Sequence, residues 1–288
     1  HSLPQILDSI RIYAQQREST KQPYEANLKV KSNVEVLHKG IFSNLLPYLH
    51  KVKLHEGTFT QEYAGTLEHS TSDSTTASLT PLTEENSLIV TEFTDQIVSL
   101  SQKINIYSQY IYGNIYSPMA YLSGKYYDFS LDSLVHEEGE NLYRIVFTPK
   151  IKNYKFVEGY MIVSGRNFSI REMWVKGHFE FVEYSGSVFM GEENAENEFL
   201  PRKILLNTDI RFMGTHLKGE YASLLRYNKI TGHHIAHPQT RHSQKDLQTR
   251  QSQKDLQTRQ ARQSQYDLSL QYRTRVDTLS AIAERIVD

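Results

Sequence analysis

Between Tyr143 and Trp174 the chain alternates short runs of β-branched and aromatic residues with turn signals. That stretch constrains the fold more than any other. Tyr143–Pro149 is followed by the polar turn Lys150–Asn153, and Phe156–Val163 by Ser164-Gly165-Arg166-Asn167. A third run continues through Ile170 to Trp174. Runs of this length and composition, punctuated this closely, predict a three-strand antiparallel meander.

The same alternation recurs on both sides. Ala26, Leu28, Val30 and Ser32 alternate with Asn27, Lys29, Lys31 and Asn33, which predicts a long strand with one buried face over 24–37. Further strands are expected at 57–64, 87–100, 125–134, 178–190, 200–213 and 216–227, with Gly214-Thr215 as a tight hairpin. Residues 40–54, with Pro47 inside, read as a connecting segment. Residues 104–122, with Tyr107, Tyr110, Tyr112, Tyr116 and Tyr121, are ambiguous between helix and irregular structure. Residues 69–87 are nearly all small and polar at their start and read as a mobile loop. Ahead of the strands, Leu3, Ile6, Leu7, Ile10, Tyr13 and Ala14 form one stripe at helical spacing. Ser2 and Gln5 have capping-box spacing, and Gln22-Pro23 is the stop. The expected fold class is α+β. A curved, mostly antiparallel sheet of about ten strands carries an N-terminal helix over residues 1–230.

The C-terminal part obeys different rules. Ser243–Gln251 is repeated without change as Ser252–Gln260, and Ser264–Leu268 is a degraded copy. Nine residues at about 100° each bring Leu247 and Leu256 to opposite helix faces, so the repeat specifies no amphipathic helix. Residues 231–275 read as a low-complexity, partly helical linker. Val276, Leu279, Ile282, Ala283 and Ile286 then make a short amphipathic helix over 276–288.

Composition narrows the function classes. Lys plus Arg number 32 against 33 Asp plus Glu, so no global field favours nucleic acid. The basic tail lacks aromatic residues for base stacking, and no nucleic-acid partner is expected. With no cysteine, disulfides and thiolate chemistry are excluded. No apolar run reaches the roughly 18 residues a membrane helix needs. Tyrosine dominates the aromatics, 19 against one tryptophan, which suits half-exposed sheet faces. The chain opens on His1 without a charged-then-apolar leader, as expected of a processed protein or a fragment.

Candidate chemistry is sparse. His233, His234, His237 and His242 form the single histidine cluster. Gly232 and Pro238 bracket its core and no carboxylate lies within it, so an exposed linker is expected there. Glu137, Glu138 and Glu140, and separately Glu192, Glu193, Glu196 and Glu198, lie in turns and read as equally solvated. Paired acids need differing environments for catalysis. Nucleotide-binding glycine patterns and nucleophile elbows do not occur. Asp8-Ser9-Ile10, Asp132-Ser133-Leu134 and Asp277-Thr278-Leu279 resemble a bacterial periplasmic O-glycosylation acceptor, a match short enough to arise by chance. The expectation is a protein with no catalytic, cofactor-binding or metal-binding residue and no cofactor, hence no enzyme.

Several stretches together resemble a bacterial family of unknown function. They are Ser117-Pro118-Met119-Ala120, Lys125–Leu131, Tyr143–Lys150 and Phe156–Val163, with Tyr24–Lys39 and Phe199-Leu200-Pro201 fitting more loosely. The resemblance covers roughly residues 5–230. It implies an outer-membrane protein, usually preceded by a carboxypeptidase-regulatory-like domain and followed by a membrane β-barrel. Neither flank is present in this chain, and the nine-residue repeat is foreign to the pattern. The meander is also similar to lipoprotein-carrier folds, whose curved sheet wraps a helix and shelters acyl chains. The implied role is a periplasmic scaffold or accessory module in envelope transport or assembly, with an outer-membrane or periplasmic protein partner. A carrier with an apolar cavity for lipid or lipoprotein acyl chains is the alternative. Membrane association would come only through missing flanking regions. An apolar sheet face plugged by the Leu3–Ala14 helix favours the scaffold, and a void there favours the carrier.

Overall fold

The computed structural model describes residues 2–16, 22–41, 55–70, 74–82, 88–137, 140–193, 195–230 and 233–234. Alternation gives the strands β1 (Tyr24–His38), β2 (Gly57–His69) and β3 (Thr75–Pro81). After a crossing segment come β6 (Tyr127–Glu137), β7 (Glu140–Pro149), β8 (Glu158–Ser164), β9 (Ile170–Phe179), β10 (Val182–Met190), β11 (Pro201–Phe212) and β12 (Thr215–Ile230). Every pairing is antiparallel. The order is β3-β2-β1-β12-β11-β10-β9-β8-β7-β6, and the two-residue β13 (His233–His234) pairs with β12. Two meanders are thus joined by one long-range pair, β1 with β12, in which Leu28 sits opposite Leu225. A small hairpin of β4 (Tyr110–Tyr112) and β5 (Ile115–Tyr116) stands apart from this sheet.

The expected α+β sheet with its N-terminal helix is what forms, and the hairpin expected at Gly214-Thr215 turns one residue earlier, at Met213-Gly214. Met213 at φ 46° and Gly214 at φ 80° close Phe212 against Thr215. Helix α1 (Leu3–Gln16) begins where expected: the Ser2 amide donates to Gln5 Oε1 at 2.9 Å and its carbonyl accepts from Ile6 N–H at 3.0 Å.

Three local expectations differ. The strand expected over 87–100 is instead part of helix α2 (Leu88–Lys103). Its β-branched content favours strand, but Ile97, Ser101 and Ile104 meet the sheet at helical spacing, and that burial outweighs a weak propensity. Ser101 Oγ fixes the contact, bonding the Ile97 carbonyl at 2.8 Å and Ser223 Oγ at 2.7 Å. Part of the expected loop over 69–87 is β3, paired with β2 from Tyr63–Pro81 to His69–Thr75. Its threonines suit an edge strand, and Ala77 and Leu79 pack on the core. The single strand expected over 178–190 is the end of β9 and the whole of β10, folded at Glu180 (φ 51°). The repeat, the terminal helix and, apart from His233 and His234, the linker lie outside the described residues.

Both helices lie on one face of the sheet. Ile97 of α2 packs with Leu28, Val30, Leu67, Ile204 and Tyr221. Ile6, Leu7 and Ile10 of α1 pack with Ile145, Phe147, Met161, Val163 and Met173. Gly159 allows the close approach beside them, because a Cβ there would collide with the Trp174 carbonyl oxygen.

The cores are rich in tyrosine, and burial sets the phenol acidities. Loss of solvation pushes Tyr24, Tyr184 and Tyr221 up to about 12, and Tyr107, Tyr127 and Tyr227 rise further in the same direction. A pKa higher in the folded than in the unfolded chain gives stability that is intact below the ordinary value of 10. That stability is lost as pH climbs from 10 toward 12. Absorbance at 295 nm should therefore rise in two phases. Exposed phenols ionise near pH 10, and a cooperative step at higher pH coincides with unfolding by circular dichroism. A single phase near pH 10 with the fold intact would refute this.

Candidate functional site

The richest polar assembly sits at one end of the sheet, where β7 begins, β8 turns into β9 and the β10–β11 loop folds back. A register shift between Ile162 and Val163 leaves Arg171 as the extra residue of a bulge on β9. Its Nη2 bonds both the Glu140 and Glu193 carboxylates. Ser164 Oγ donates to Glu140 and lies 3.1 Å from Glu193 Oε1. Deeper still, Glu198 is 2 % exposed and accepts from Asn167 Nδ2 at 2.6 Å. The same amide reaches the Tyr13 hydroxyl at 3.3 Å. Tyr13 stacks on Phe199 at 4.8 Å, which ties α1 to the loop.

The acidic turns are therefore not equally solvated, as their runs suggested. Glu140 and Glu198 are buried and Glu193 nearly so, while Glu192 and Glu196 face water. The reason is tertiary: one guanidinium from a distant bulge and a serine from a turn draw the carboxylates inward. Arg171 occupies the place between Glu140 and Glu193, so the cluster reads as a clamp joining three elements. Among the described residues, no group of three or more His, Cys, Asp or Glu side chains is placed to hold a metal ion. His233 and His234 lie in β13, and His237 and His242 lie outside the described residues.

A second feature is a cleft of about 510 Å³ between α1 and the 105–122 segment. Ile10, Arg11 and Ala14 form one wall; Tyr107–Gln109, Tyr116 and Met119–Leu122 form the other, with Phe199 between. Residues 104–122 are mostly irregular, resolving the ambiguity in their sequence, and Ser117 braces them by bonding the Ile106 carbonyl at 3.0 Å. Arg11 donates to Asp8 at 3.1 Å and to Ser123 Oγ at 2.9 Å, while its Nε–H has no acceptor among the described residues. Sequence reading passed over Arg11, because it lies beside the apolar stripe and its partner Ser123 is 112 residues away. A smaller cavity of about 280 Å³ opens where α2 ends, lined by Ile104, Ile106, Val188, Met190 and Leu200 together with Ser101, Gln102 and Lys103.

Among the described residues, no helix packs on the opposite face of the sheet. Tyr160 stacks on Trp174 at 5.7 Å, and Arg144 lies 4.3 Å above the Tyr160 ring. Phe189, with Lys203 at 5.4 Å, and the half-exposed Leu224 extend this band across β10 to β12.

No curated protein matches the sequence. Among solved structures, a putative outer-membrane lipoprotein-sorting protein domain from Vibrio parahaemolyticus is similar at 9 % identity. The match covers 85 % of this chain and 96 % of that one, with a TM-score of 0.33. A LolA-superfamily protein from Nitrosomonas europaea is similar at 12 % identity over 80 % and 94 %, with a TM-score of 0.29. The MucA/MucB complex of Pseudomonas aeruginosa is similar at 8 % over 77 % and 94 %, with a TM-score of 0.22. Likeness at this level bears on neither ligand nor partner. The model of a family of unknown function, DUF5686, matches residues 8–228, nearly the stretch on which the resemblance in the sequence was placed. Over those residues the chain belongs to that family.

Proposed function

We propose that this chain is a non-enzymatic module on the periplasmic side of a bacterial outer membrane, a scaffold or accessory in envelope transport or assembly. The observation that carries the reading is the filling of the apolar sheet face. Ile6 and Ile10 of α1 are 0 % exposed and Ile97 of α2 is 1 % exposed, so the two helices take the place an acyl chain would need. The opposite face supports a protein partner. Its Tyr160–Trp174 stack, Phe189 and Leu224 form a half-exposed aromatic and aliphatic band, rimmed by Arg144 and Lys203, of the kind that protein interfaces cover. The flanking carboxypeptidase-regulatory-like domain and β-barrel implied by the resemblance belong to this proposal. Among the described residues no helix is long and apolar enough to cross a membrane.

A second reading, a carrier of lipid or lipoprotein acyl chains, is favoured by the 280 Å³ cavity at the end of α2. The cavity is lined by Val188 and Met190 of β10 and by Ile106 and Leu200, which pack in the apolar clusters over the inner face. Native mass spectrometry of protein purified gently from a gram-negative periplasm separates the two. The scaffold reading expects the bare polypeptide mass. A co-purifying lipid mass, lost on detergent exchange, would overturn it in favour of the carrier.

A further inference from the structure

We propose that the cleft between α1 and the 105–122 segment binds an acidic saccharide, a hydroxylated ring bearing a carboxylate or phosphate. At about 510 Å³ the cleft lies within the range of small-molecule sites. Arg11 supplies the charge. Ser123 holds one end of the guanidinium, and the other end is held only by Asp8, whose side chain is 69 % exposed. An exposed ion pair of that kind contributes little and yields readily to a competing anion. The Nε–H is enclosed and has no acceptor among the described residues, so the part of the guanidinium open to an anion is the Nη1 end that Asp8 holds.

The rest of the lining selects the body of the ligand. Tyr121 stands at the rim 85 % exposed, and Leu122 beside it is 44 % exposed, so a large ring face is presented to the cleft mouth. Such a ring face offers stacking area at little conformational cost. Asn105 and Gln109 also line the cleft. Asn105 Oδ1 accepts from Tyr107 N–H at 3.0 Å, leaving its NH2 group as a donor. Gln109 makes one long bond of 3.5 Å to the Tyr110 hydroxyl. An acyl chain laid across this wall would strip water from both amides and return no hydrogen bond, at a cost of the order of 1–3 kcal/mol for each group. A hydroxylated ring returns those bonds while its C–H face packs on tyrosine. The combination of stacking ring, two amides and one under-used guanidinium therefore fits an acidic sugar better than a fatty acid.

The site is independent of the scaffold reading, because the proposed partner band lies on the other face of the sheet. Ligand-observed NMR on the full chain tests it with four probes: glucuronate, glucose 6-phosphate, glucose and laurate. One or both anionic sugars should bind, with glucose weaker by at least about tenfold, the worth of one charge-assisted hydrogen bond. Which anion binds better identifies the acid, and either preference supports the assignment. Arg11→Gln should reduce the anionic sugars to the level of glucose. Tyr121→Ala should weaken them about fivefold and leave thermal unfolding unchanged, since that ring is exposed. Equal binding of glucose and glucuronate, binding of laurate alone, binding that survives both substitutions, or no binding of either anion would overturn the assignment.

Discussion

Replacing Arg171 by methionine is expected to cost about 3 kcal/mol of folding stability. The guanidinium is the shared partner of two carboxylates whose side chains are only 7 % and 11 % exposed, those of Glu140 and Glu193. Removing it leaves like charges facing each other out of water, the circumstance in which losing one member of an ion pair is most costly. The estimate sits at the low end of the range because Arg171 itself is 37 % exposed, so water reaches part of the site. Methionine keeps the length and apolar stem of the side chain, so the loss reports charge rather than packing. Lysine at 171 should recover part of the stability, since it restores the charge but as a point donor that spans two acids poorly. The control is Arg144→Met. Arg144 pairs with Asp132 at 2.8 Å, with the two side chains 40 % and 44 % exposed, and that substitution should cost less than about 1 kcal/mol. Urea denaturation of the three variants measures the difference. Equal losses for Arg171→Met and Arg144→Met would show that the clamp is solvated after all.

The contrast between these two arginines marks what the sequence makes legible. Arg144 and Arg171 are each embedded in alternating strand, and nothing local separates them. The strands themselves can be read because each carries its own record of burial: Ala26, Leu28, Val30, Val34 and Val36 face inward at every second position, broken only by the buried Ser32. Register and neighbours are not recorded in that way. The pairing of β1 with β12 joins residues about two hundred positions apart and follows from the closure of the whole sheet. Helix α2 escaped for a related reason. Its isoleucines, valines and threonines individually favour strand, and its helical stripe gains meaning only once a sheet lies beneath it. The functional candidates are the least legible. Carboxylates in turns look solvated until Ser164 and Arg171 arrive from elsewhere, and Arg11 meets the 105–122 wall only through folding. The one signal in the sequence was the density of tyrosines between 107 and 121. Their spacing left helix and irregular structure both open, and the segment is shaped by its own ring contacts, such as Tyr110 on Tyr116 at 5.9 Å.

Ile10→Ala is the second substitution expected to act strongly, with a loss of about 3–4 kcal/mol. Ile10 is 0 % exposed and sits in the larger apolar cluster with Ile6, Met161 and Phe147, so truncation removes three carbons from a close-packed site and leaves a cavity. Ile12, on the same helix but 53 % exposed, should cost less than about 0.5 kcal/mol when cut to alanine, which separates packing from helix propensity. The manner of the loss matters as much as its size. If α1 belongs permanently to the core, as the scaffold reading requires, the midpoint in urea falls while the slope of the transition stays constant. A helix that serves as a removable plug would behave otherwise. Ile10→Ala would then release it ahead of global unfolding, with apolar dye binding and a shallower first transition, and the freed sheet face would be open to an acyl chain. The three contacts that pin α1 argue for the first outcome. They are the Tyr13–Phe199 stack, the Asn167–Tyr13 bond and the Arg11–Ser123 bond, and they bind the helix to three separate loops. A carrier that must admit and release its cargo gains nothing from fastening its cover at three points, whereas a scaffold that presents its opposite face to a partner gains a rigid back.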